Sequence, residues 1–128
     1  LVKDIMVSGS KIPKIKITSN IKEASSKITK YKLGLAIVTK KNIVAGILTD
    51  GDARRSLRYS LKSKNLTKIM TPNPLFISEN STASKALAIM NKKKITSLLV
   101  TSEKDLNKKN KKLIGIVHIH SILKFGVK

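Results

Sequence analysis

The chain has 128 residues, and its hydrophobic fraction of 41% argues for a packed core and against wholesale disorder. It contains no cysteine, which excludes disulfides and thiolate metal sites and fits a reducing, cytoplasmic setting; its apolar runs are too short to span a membrane. The net charge of +20 is carried by lysines spread over both halves, and only 3% of residues are aromatic, so a solvated surface is favoured over nucleic-acid binding.

The first half of the chain opens with the short leading segment LVKDIM. Ile21, Ala24, Ile28 and Tyr31 recur on one helical face, and Asn20 with Glu23 is typical of a capped helix start. The pattern predicts a strand at 14–17, a helix at 21–32, strands at 34–38 and 43–49, and a helix at 51–61 with Ala53, Leu57 and Leu61 inward.

The second half repeats the first, motif by motif. LVKDIM returns as NLTKIM, KLGLAIV as KITSLLV, and AGILTDGD as IGIVHIHS. The lysine-rich stretch TSEKDLNKKNKKLI is longer than its counterpart and predicts a hairpin loop. The predicted elements are a strand at 75–78, a helix at 82–92, strands at 96–101 and 112–118, and a helix at 120–125.

This repetition predicts an α/β (α+β) fold made of two β-α-β-β-α repeats, residues 1–64 and residues 65–128. Neither repeat has enough sequence to close a core alone, so we expect the two to pack about a pseudo-twofold axis. The chain begins with Leu1 rather than Met, so we expect it to be a fragment of a longer protein.

The motifs resemble those of a tandem pair of CBS domains, also called a Bateman module. The resemblance rests on Val2-Lys3-Asp4-Ile5-Met6, repeated as LTKIMTPNP, and on the signature Gly46-Ile47-Leu48-Thr49-Asp50-Gly51-Asp52. It implies a regulatory module that binds a nucleotide in a cleft between the repeats and associates into flat dimers. By the same resemblance, the ligand-facing positions of the first repeat are Ser10, Lys11, Ile12, Pro13, Gly34, Leu35, Ala36, Thr49 and Asp52.

A narrower resemblance is to the C-terminal CBS pair of D-arabinose-5-phosphate isomerases. It rests on DIMVSGSKIPKIK, LTDGDARRSL, IMTPNP, KKKITSLLV and GIVHIHSILKFGV. It implies an N-terminal sugar-isomerase domain in the parent chain and a place in the synthesis of Kdo, a lipopolysaccharide sugar. Since that domain is absent here, we expect no isomerase activity, no catalytic residue and no cofactor in this chain.

The signature GILTDGD ends a strand and opens a helix. Gly46 permits a bend or a close neighbour. The unpaired N–H groups at the start of a helix can bind a phosphate, and the Thr49 hydroxyl is a further donor to it. The Asp52 carboxylate can accept hydrogen bonds from two ribose hydroxyls. The alternative is a helix cap alone, in which Thr49 or Asp50 caps the helix and Asp52 complements its dipole. Of the two, Asp50 is interpreted as the cap.

Two arginines follow the signature in a lysine-rich chain. The planar guanidinium of Arg54 or Arg55 can bind a phosphate or a sugar-acid carboxylate through two parallel hydrogen bonds, a bidentate contact that lysine cannot make. A solvated helix face or a subunit contact is the alternative for both.

The second repeat departs from the signature, since His118 replaces Thr49 and Ser121 replaces Asp52. His118 and His120 alternate, which places them on opposite faces of a continuing strand, and no third metal ligand is evident. One histidine is expected to contact the ligand, and Thr96 and Ser97 offer hydroxyls at the matching strand start.

These patterns favour a nucleotide or nucleotide-sugar as the regulatory ligand, and the pathway makes CMP-Kdo the preferred hypothesis. An adenine-nucleotide sensor is the first alternative. A basic nucleic-acid-binding module and a purely dimerising module are the others, and a homodimer is expected under all of them.

Overall fold

A computed structural model describes residues 1–58 and 65–126. The helices are α1 (Val2–Ile5), α2 (Ile21–Tyr31), α3 (Asp50–Arg58), α4 (Leu66–Ile69), α5 (Ala83–Lys93) and α6 (Ile119–Lys124). The strands are β1 (Lys14–Lys16), β2 (Leu35–Lys40), β3 (Ile43–Thr49), β4 (Thr71–Pro72), β5 (Phe76–Ser78), β6 (Ser97–Thr101) and β7 (Gly115–His118). None of the described helices has the length and apolar character needed to cross a membrane.

The element order confirms the predicted fold class, because each repeat runs strand, helix, two strands, helix. The expected strand at 112–118 forms only from Gly115, since turns and irregular backbone occupy the preceding loop. The end of the helix predicted at 51–61 lies partly outside the described residues, which include α3 only as far as Arg58. The inward placement expected of Leu57 and Leu61 also lies outside what the structure describes.

The chain divides into two compact units that cut across the repeats. One unit is Ile12–Pro74, and the other combines Leu1–Lys11 with Leu75–Lys128. Each unit therefore contains the strands of one repeat and the leading segment of the other, where the leading segments are residues 1–11 and residues 65–74.

The unit Ile12–Pro74 is built on a four-stranded sheet in the order β1-β2-β3-β4. β1 runs parallel to β2, and β3 is antiparallel to both of its neighbours. Helices α2 and α3 close the core from one side, and the buried cluster comprises Ile15, Ala24, Ile28, Ala36, Val38, Leu48, Ala53 and Leu66. This cluster includes Ala24 and Ile28 of the predicted face of α2, and Ala53 of α3, because apolar residues at helical spacing bury together.

Helix α2 begins where the sequence predicts. Asn20 is its N-cap, and its side-chain oxygen accepts a hydrogen bond of 2.9 Å from the Glu23 N–H. The Glu23 carboxylate accepts from the Ser19 hydroxyl. The cap is therefore confirmed through Asn20, which satisfies one of the free N–H groups at the helix start.

The other unit contains a three-stranded sheet in the order β5-β6-β7, with β5 parallel to β6 and β7 antiparallel to β6. Residues 102–114 connect the antiparallel pair, as expected of the inserted loop. The buried cluster of this unit is Val2, Ile77, Ala86, Leu87, Met90, Leu98, Val100, Val117 and Ile122.

The glycine of each signature lies against the methionine of a leading segment. A Cβ added to Gly46 would lie 2.7 Å from the Thr71 carbonyl oxygen and 2.9 Å from Met70 Sδ, which is too close for any side chain. At Gly115 it would lie 2.8 Å from the Val7 carbonyl oxygen and also collide with Met6 Sδ. In each unit the methionine of an Ile-Met motif therefore packs directly against the glycine, which confirms the close neighbour expected at Gly46.

Candidate functional site

Thr49 and Asp52 bond to each other reciprocally at the start of α3. The Thr49 N–H donates to Asp52 Oδ2 at 3.0 Å, and the Asp52 N–H donates to Thr49 Oγ1 at 3.1 Å. This is the geometry of a capping box, with Thr49 as the cap. The interpretation of Asp50 as the cap is wrong, because the Thr49 hydroxyl occupies that role and the Asp50 carboxylate forms an ion pair with Arg54 at 3.0 Å.

Asp52 is 4% exposed and is the one buried charged residue among those whose side chains the structure describes. Burying a carboxylate is costly unless hydrogen bonds compensate it. Its Oδ2 also accepts a bond of 3.2 Å from the Thr71 hydroxyl, and its Oδ1 accepts from the Arg55 guanidinium. Three donors thus hold the carboxylate in place, two on Oδ2 and one on Oδ1.

The two arginines differ in what they contact. Arg54 pairs with Asp50, and both side chains are mostly exposed. Arg55 pairs with the buried Asp52, while its own side chain is 63% exposed. Arg55 is therefore the arginine at the candidate site, and Arg54 lies on the solvated helix face.

Gly51 lies between the Thr49 and Arg55 side chains and carries no side chain of its own. A Cβ added there would lie 3.5 Å from Arg55 Nη1 and 3.7 Å from Thr49 Oγ1, which are ordinary contact distances. The Thr49 hydroxyl, the Arg55 guanidinium and the N–H groups of the helix start therefore lie around Gly51, where no side chain blocks access. Such a combination suits an anionic group, since each of these elements supplies hydrogen-bond donors or positive potential.

The starts of β1 and β2 lie beside this helix start. The Asp50 N–H donates to the Gly34 carbonyl oxygen at 3.1 Å, and the Ile37 N–H donates to that of Pro13 at 2.7 Å. Gly34 has φ +75°, a conformation that favours glycine. The structure thus brings Pro13 and Gly34 to the same edge of the sheet as Thr49.

The apolar residues that were predicted to face the ligand at this edge of the sheet are buried. Ile12 is 6% exposed and Leu35 is 4% exposed, and Pro13 and Ala36 are buried as well. Ser10 and Lys11 are exposed and lie in a 3₁₀ turn that belongs to the other compact unit.

Sequence analysis missed Thr71. It lies on β4, where it pairs in register with Ile47 of β3. The sequence shows that a threonine follows the second Ile-Met motif where Val7 follows the first, but not that this threonine reaches Asp52.

The corresponding place in the second repeat has the same backbone and different side chains. The Ile119 N–H donates to the Thr96 carbonyl oxygen at 2.9 Å, as Asp50 does to Gly34. Thr96 is exposed, and the buried Ser97 is paired in register with His118. The carboxylate is absent, since Ser121 stands where Asp52 would be.

The rings of His118 and His120 lie against each other. The opposite faces expected of a continuing strand do not apply here. β7 ends at His118 and α6 begins at once, so the strand alternation stops there. The ring centroids are 4.6 Å apart in an edge-to-face arrangement, and His118 Nδ1 caps α6 by accepting from the His120 N–H at 3.1 Å.

The pKa of His118 is lowered, first because burial disfavours its charged form and second because His120 lies nearby. Within residues 1–58 and 65–126, no three His, Asp or Glu side chains come together in a group that could hold a metal ion. His118 is therefore a neutral cap near pH 7 in this arrangement.

A surface cleft of about 580 Å³ lies elsewhere in the unit Ile12–Pro74. Lys14, Lys16, Asn20 and Glu23 are among its lining residues, and none of the sequence-predicted ligand residues is. The candidate site is therefore defined by its hydrogen-bonding groups and not by this cleft.

Comparisons with known proteins identify the family of the chain. The family model for the CBS domain matches residues 2–59 and 66–128. The arabinose 5-phosphate isomerase KdsD of Escherichia coli strain K12 is 31% identical over 129 residues, covering 98% of this chain and 37% of that protein. The chain therefore spans well under half the length of this curated relative.

Two solved structures show the same fold. The CBS domain pair of protein MJ0100, in complex with 5′-methylthioadenosine and S-adenosyl-L-methionine, is 22% identical with a TM-score of 0.81, covering 98% of this chain and 94% of the other. CBSX2 in complex with AMP is 21% identical with a TM-score of 0.77, covering 97% and 93%.

Proposed function

Because the chain belongs to the CBS-domain family as a tandem pair of repeats, we propose that it is a regulatory module that binds a nucleotide or nucleotide-sugar at the start of α3. The observation that carries this proposal is the buried Asp52 carboxylate. Two donors hold Oδ2, while Oδ1 is held by an exposed arginine that another anion can attract. A helix cap alone needs neither the burial nor the arginine.

Binding proceeds by an exchange of partners. The ligand phosphate takes the Arg55 guanidinium and the donors around Gly51, and a ribose hydroxyl then donates to Asp52 Oδ1. The exchange leaves Oδ1 with a hydrogen-bond donor, because the ribose hydroxyl replaces the one that Arg55 withdraws. Asp52 keeps its bonds from Thr49 and Thr71 throughout, so the buried charge is never left without donors.

We propose CMP-Kdo as the ligand, on the basis of the similarity to arabinose 5-phosphate isomerases. A sugar acid joined to a nucleoside monophosphate supplies a phosphate for Arg55 and a ribose for Asp52. An adenine nucleotide is the second candidate, because both solved structures contain an adenine-bearing ligand.

By the same similarity, the parent protein carries a sugar-isomerase domain, works in the cytoplasm and assembles as a dimer. In this account the module catalyses nothing itself. Occupancy of the site changes the activity of the attached domain, which requires that the ligand bind one state of the parent more tightly than the other.

A thermal-shift screen tests the ligand class. The chain is heated with CMP-Kdo, CMP, AMP, ATP or a short DNA duplex, each at low and at high salt. A ligand that binds only the folded state raises the melting temperature. We expect a nucleotide to do so at both salt concentrations and Asp52→Asn, which keeps an oxygen for the Thr49 N–H, to lose the shift. A shift produced by the duplex alone, and abolished by salt, would favour the nucleic-acid alternative.

A further inference from the structure

Thr71 brings a second segment of the chain to the Asp52 carboxylate. It lies 19 positions after Asp52, in the leading segment of the second repeat, and β4 holds it against β3 through the register pairs Ile47 with Thr71 and Gly46 with Pro72. From there its hydroxyl donates to Asp52 Oδ2 at 3.2 Å.

The Thr71 hydroxyl fixes which oxygen of Asp52 is available. Oδ2 accepts from both the Thr49 N–H and Thr71, whereas Oδ1 accepts from Arg55. With the first bond alone, the carboxylate could rotate about its Cβ–Cγ bond. Two donors from separate segments hold its plane, so that Oδ1 is the oxygen presented to Arg55 or to a ligand that replaces it.

The other compact unit provides an internal comparison. There the position of Thr71 is Val7, which makes the same backbone pairing, through Ile116. The positions of Thr49 and Asp52 are His118 and Ser121. The backbone pairing therefore does not need a hydroxyl, and the hydroxyl occurs in the unit that has a carboxylate to receive it.

We infer that Thr71 is a positioning residue for ligand recognition, which sets the Asp52 carboxylate for a ribose hydroxyl. This inference rests on the proposed function. The ligand site beside the strands of the first repeat then includes a residue from the leading segment of the second repeat. Thr71 is exposed, so its side chain adds little to the packed core.

The test is a titration calorimetry series on the chain with AMP and CMP, each beside its 2′,3′-dideoxy analogue, which lacks the ribose hydroxyls. Thr71→Val keeps the β-branched shape that suits a strand and removes the donor. We expect it to weaken AMP or CMP binding by roughly threefold to tenfold, the usual effect of one hydrogen bond. The dideoxy analogues should change less than about twofold, since they make no bond to Asp52.

Two variants serve as controls, and melting temperatures establish that each variant folds. Thr71→Ser restores a hydroxyl and should recover wild-type binding. Thr67→Val removes an exposed hydroxyl of the same unit that has no hydrogen bond to any described residue, and should change nothing.

The outcomes separate the two claims. If the wild-type chain binds AMP or CMP and Thr71→Val binds equally well, the inference about Thr71 is overturned while the proposed function stands. Equal losses for the ribose and dideoxy forms would also overturn it, because they indicate a general structural effect. If the wild type binds none of AMP, CMP and CMP-Kdo, both claims fall. If it binds CMP-Kdo alone, the same variants are compared on that ligand, and an undiminished affinity of Thr71→Val overturns the inference about Thr71.

Discussion

The Arg55 guanidinium is paired with the Asp52 carboxylate one turn earlier on the same helix, and the two differ sharply in exposure: the Asp52 side chain is 5% exposed and that of Arg55 is 63%. A buried anion bound by an exposed cation is a pair in which one partner can leave. This asymmetry makes the start of α3 a candidate for binding an anionic ligand, beyond capping the helix.

Arg55→Ala should reduce the preference for phosphorylated ligands. In the wild type a nucleoside has to displace Arg55 without offering it an anion, whereas a nucleotide offers the phosphate. We expect the affinity ratio of AMP to adenosine to fall by about tenfold in the variant, equivalent to about 1.4 kcal/mol.

Arg54→Ala is the matched control for this prediction, because Arg54 is the neighbouring arginine and pairs with Asp50 instead. It should leave the ratio of AMP to adenosine within about twofold of wild type. A ratio that falls equally in both variants would mean that overall charge, and not the Asp52 pair, sets the preference.

Gly51→Ala should separate stability from binding. Alanine is favoured over glycine in a helix by up to about 1 kcal/mol, and the added methyl group finds ordinary contacts at 3.5 and 3.7 Å. The same methyl group fills the space between Thr49 and Arg55. We expect calorimetry to show unchanged or higher stability and nucleotide affinity lowered by about tenfold. Undiminished affinity would show that the phosphate does not approach Gly51.

Gly46→Ala should destabilise the unit Ile12–Pro74, because its Cβ would meet the Thr71 carbonyl oxygen at 2.7 Å and backbone cannot easily yield. A loss on the order of 2 kcal/mol in the free energy of unfolding is expected for such overpacking. Denaturant titration measures it, and Gly51→Ala, where a methyl group has room, is the control. A loss of stability no larger than in that control would refute the packing role of the Ile-Met motif.

The acid sensitivity of the chain should depend on His118. Its pKa is lowered in the folded state by burial and by His120, so the unfolded chain binds this proton more readily. As the pH falls below about 6.5, the unfolded state takes up more protons than the folded state, and stability decreases. His118→Asn keeps an acceptor for the His120 N–H and should flatten the fall in melting temperature between pH 7 and pH 5.

The neighbouring histidine provides the comparison for this prediction. His120→Asn removes the neighbouring imidazole but leaves His118 half-buried, so a weaker pH dependence should persist. A pH dependence in His118→Asn as steep as that of the wild type would show that other groups cause it.

The sequence predicts the order of elements well because each depends on local periodicity, as in Ala24 and Ile28 of α2 or Ala53 of α3. Errors arise where one residue could play two local roles. Asp50 and Thr49 are both acceptable helix caps, and only the position of the first helical turn shows that Thr49 serves. His118 and His120 would alternate only in a continuing strand; because β7 ends at His118, their rings contact each other instead.

Only part of the candidate site could be predicted from the sequence. Thr49, Asp52 and Arg55 are neighbours along the chain, so their proximity follows from helical spacing. Thr71 reaches Asp52 only through the pairing of β4 with β3, a long-range register that no local pattern encodes.

The most direct test of the central claim is a crystal structure of the chain with the nucleotide that raises its melting temperature most. We expect the Arg55–Asp52 pair to be broken, the guanidinium to lie on the ligand phosphate, and a ribose hydroxyl to lie within about 3.2 Å of Asp52 Oδ1. A nucleotide bound elsewhere, with the Arg55–Asp52 pair intact, would contradict it.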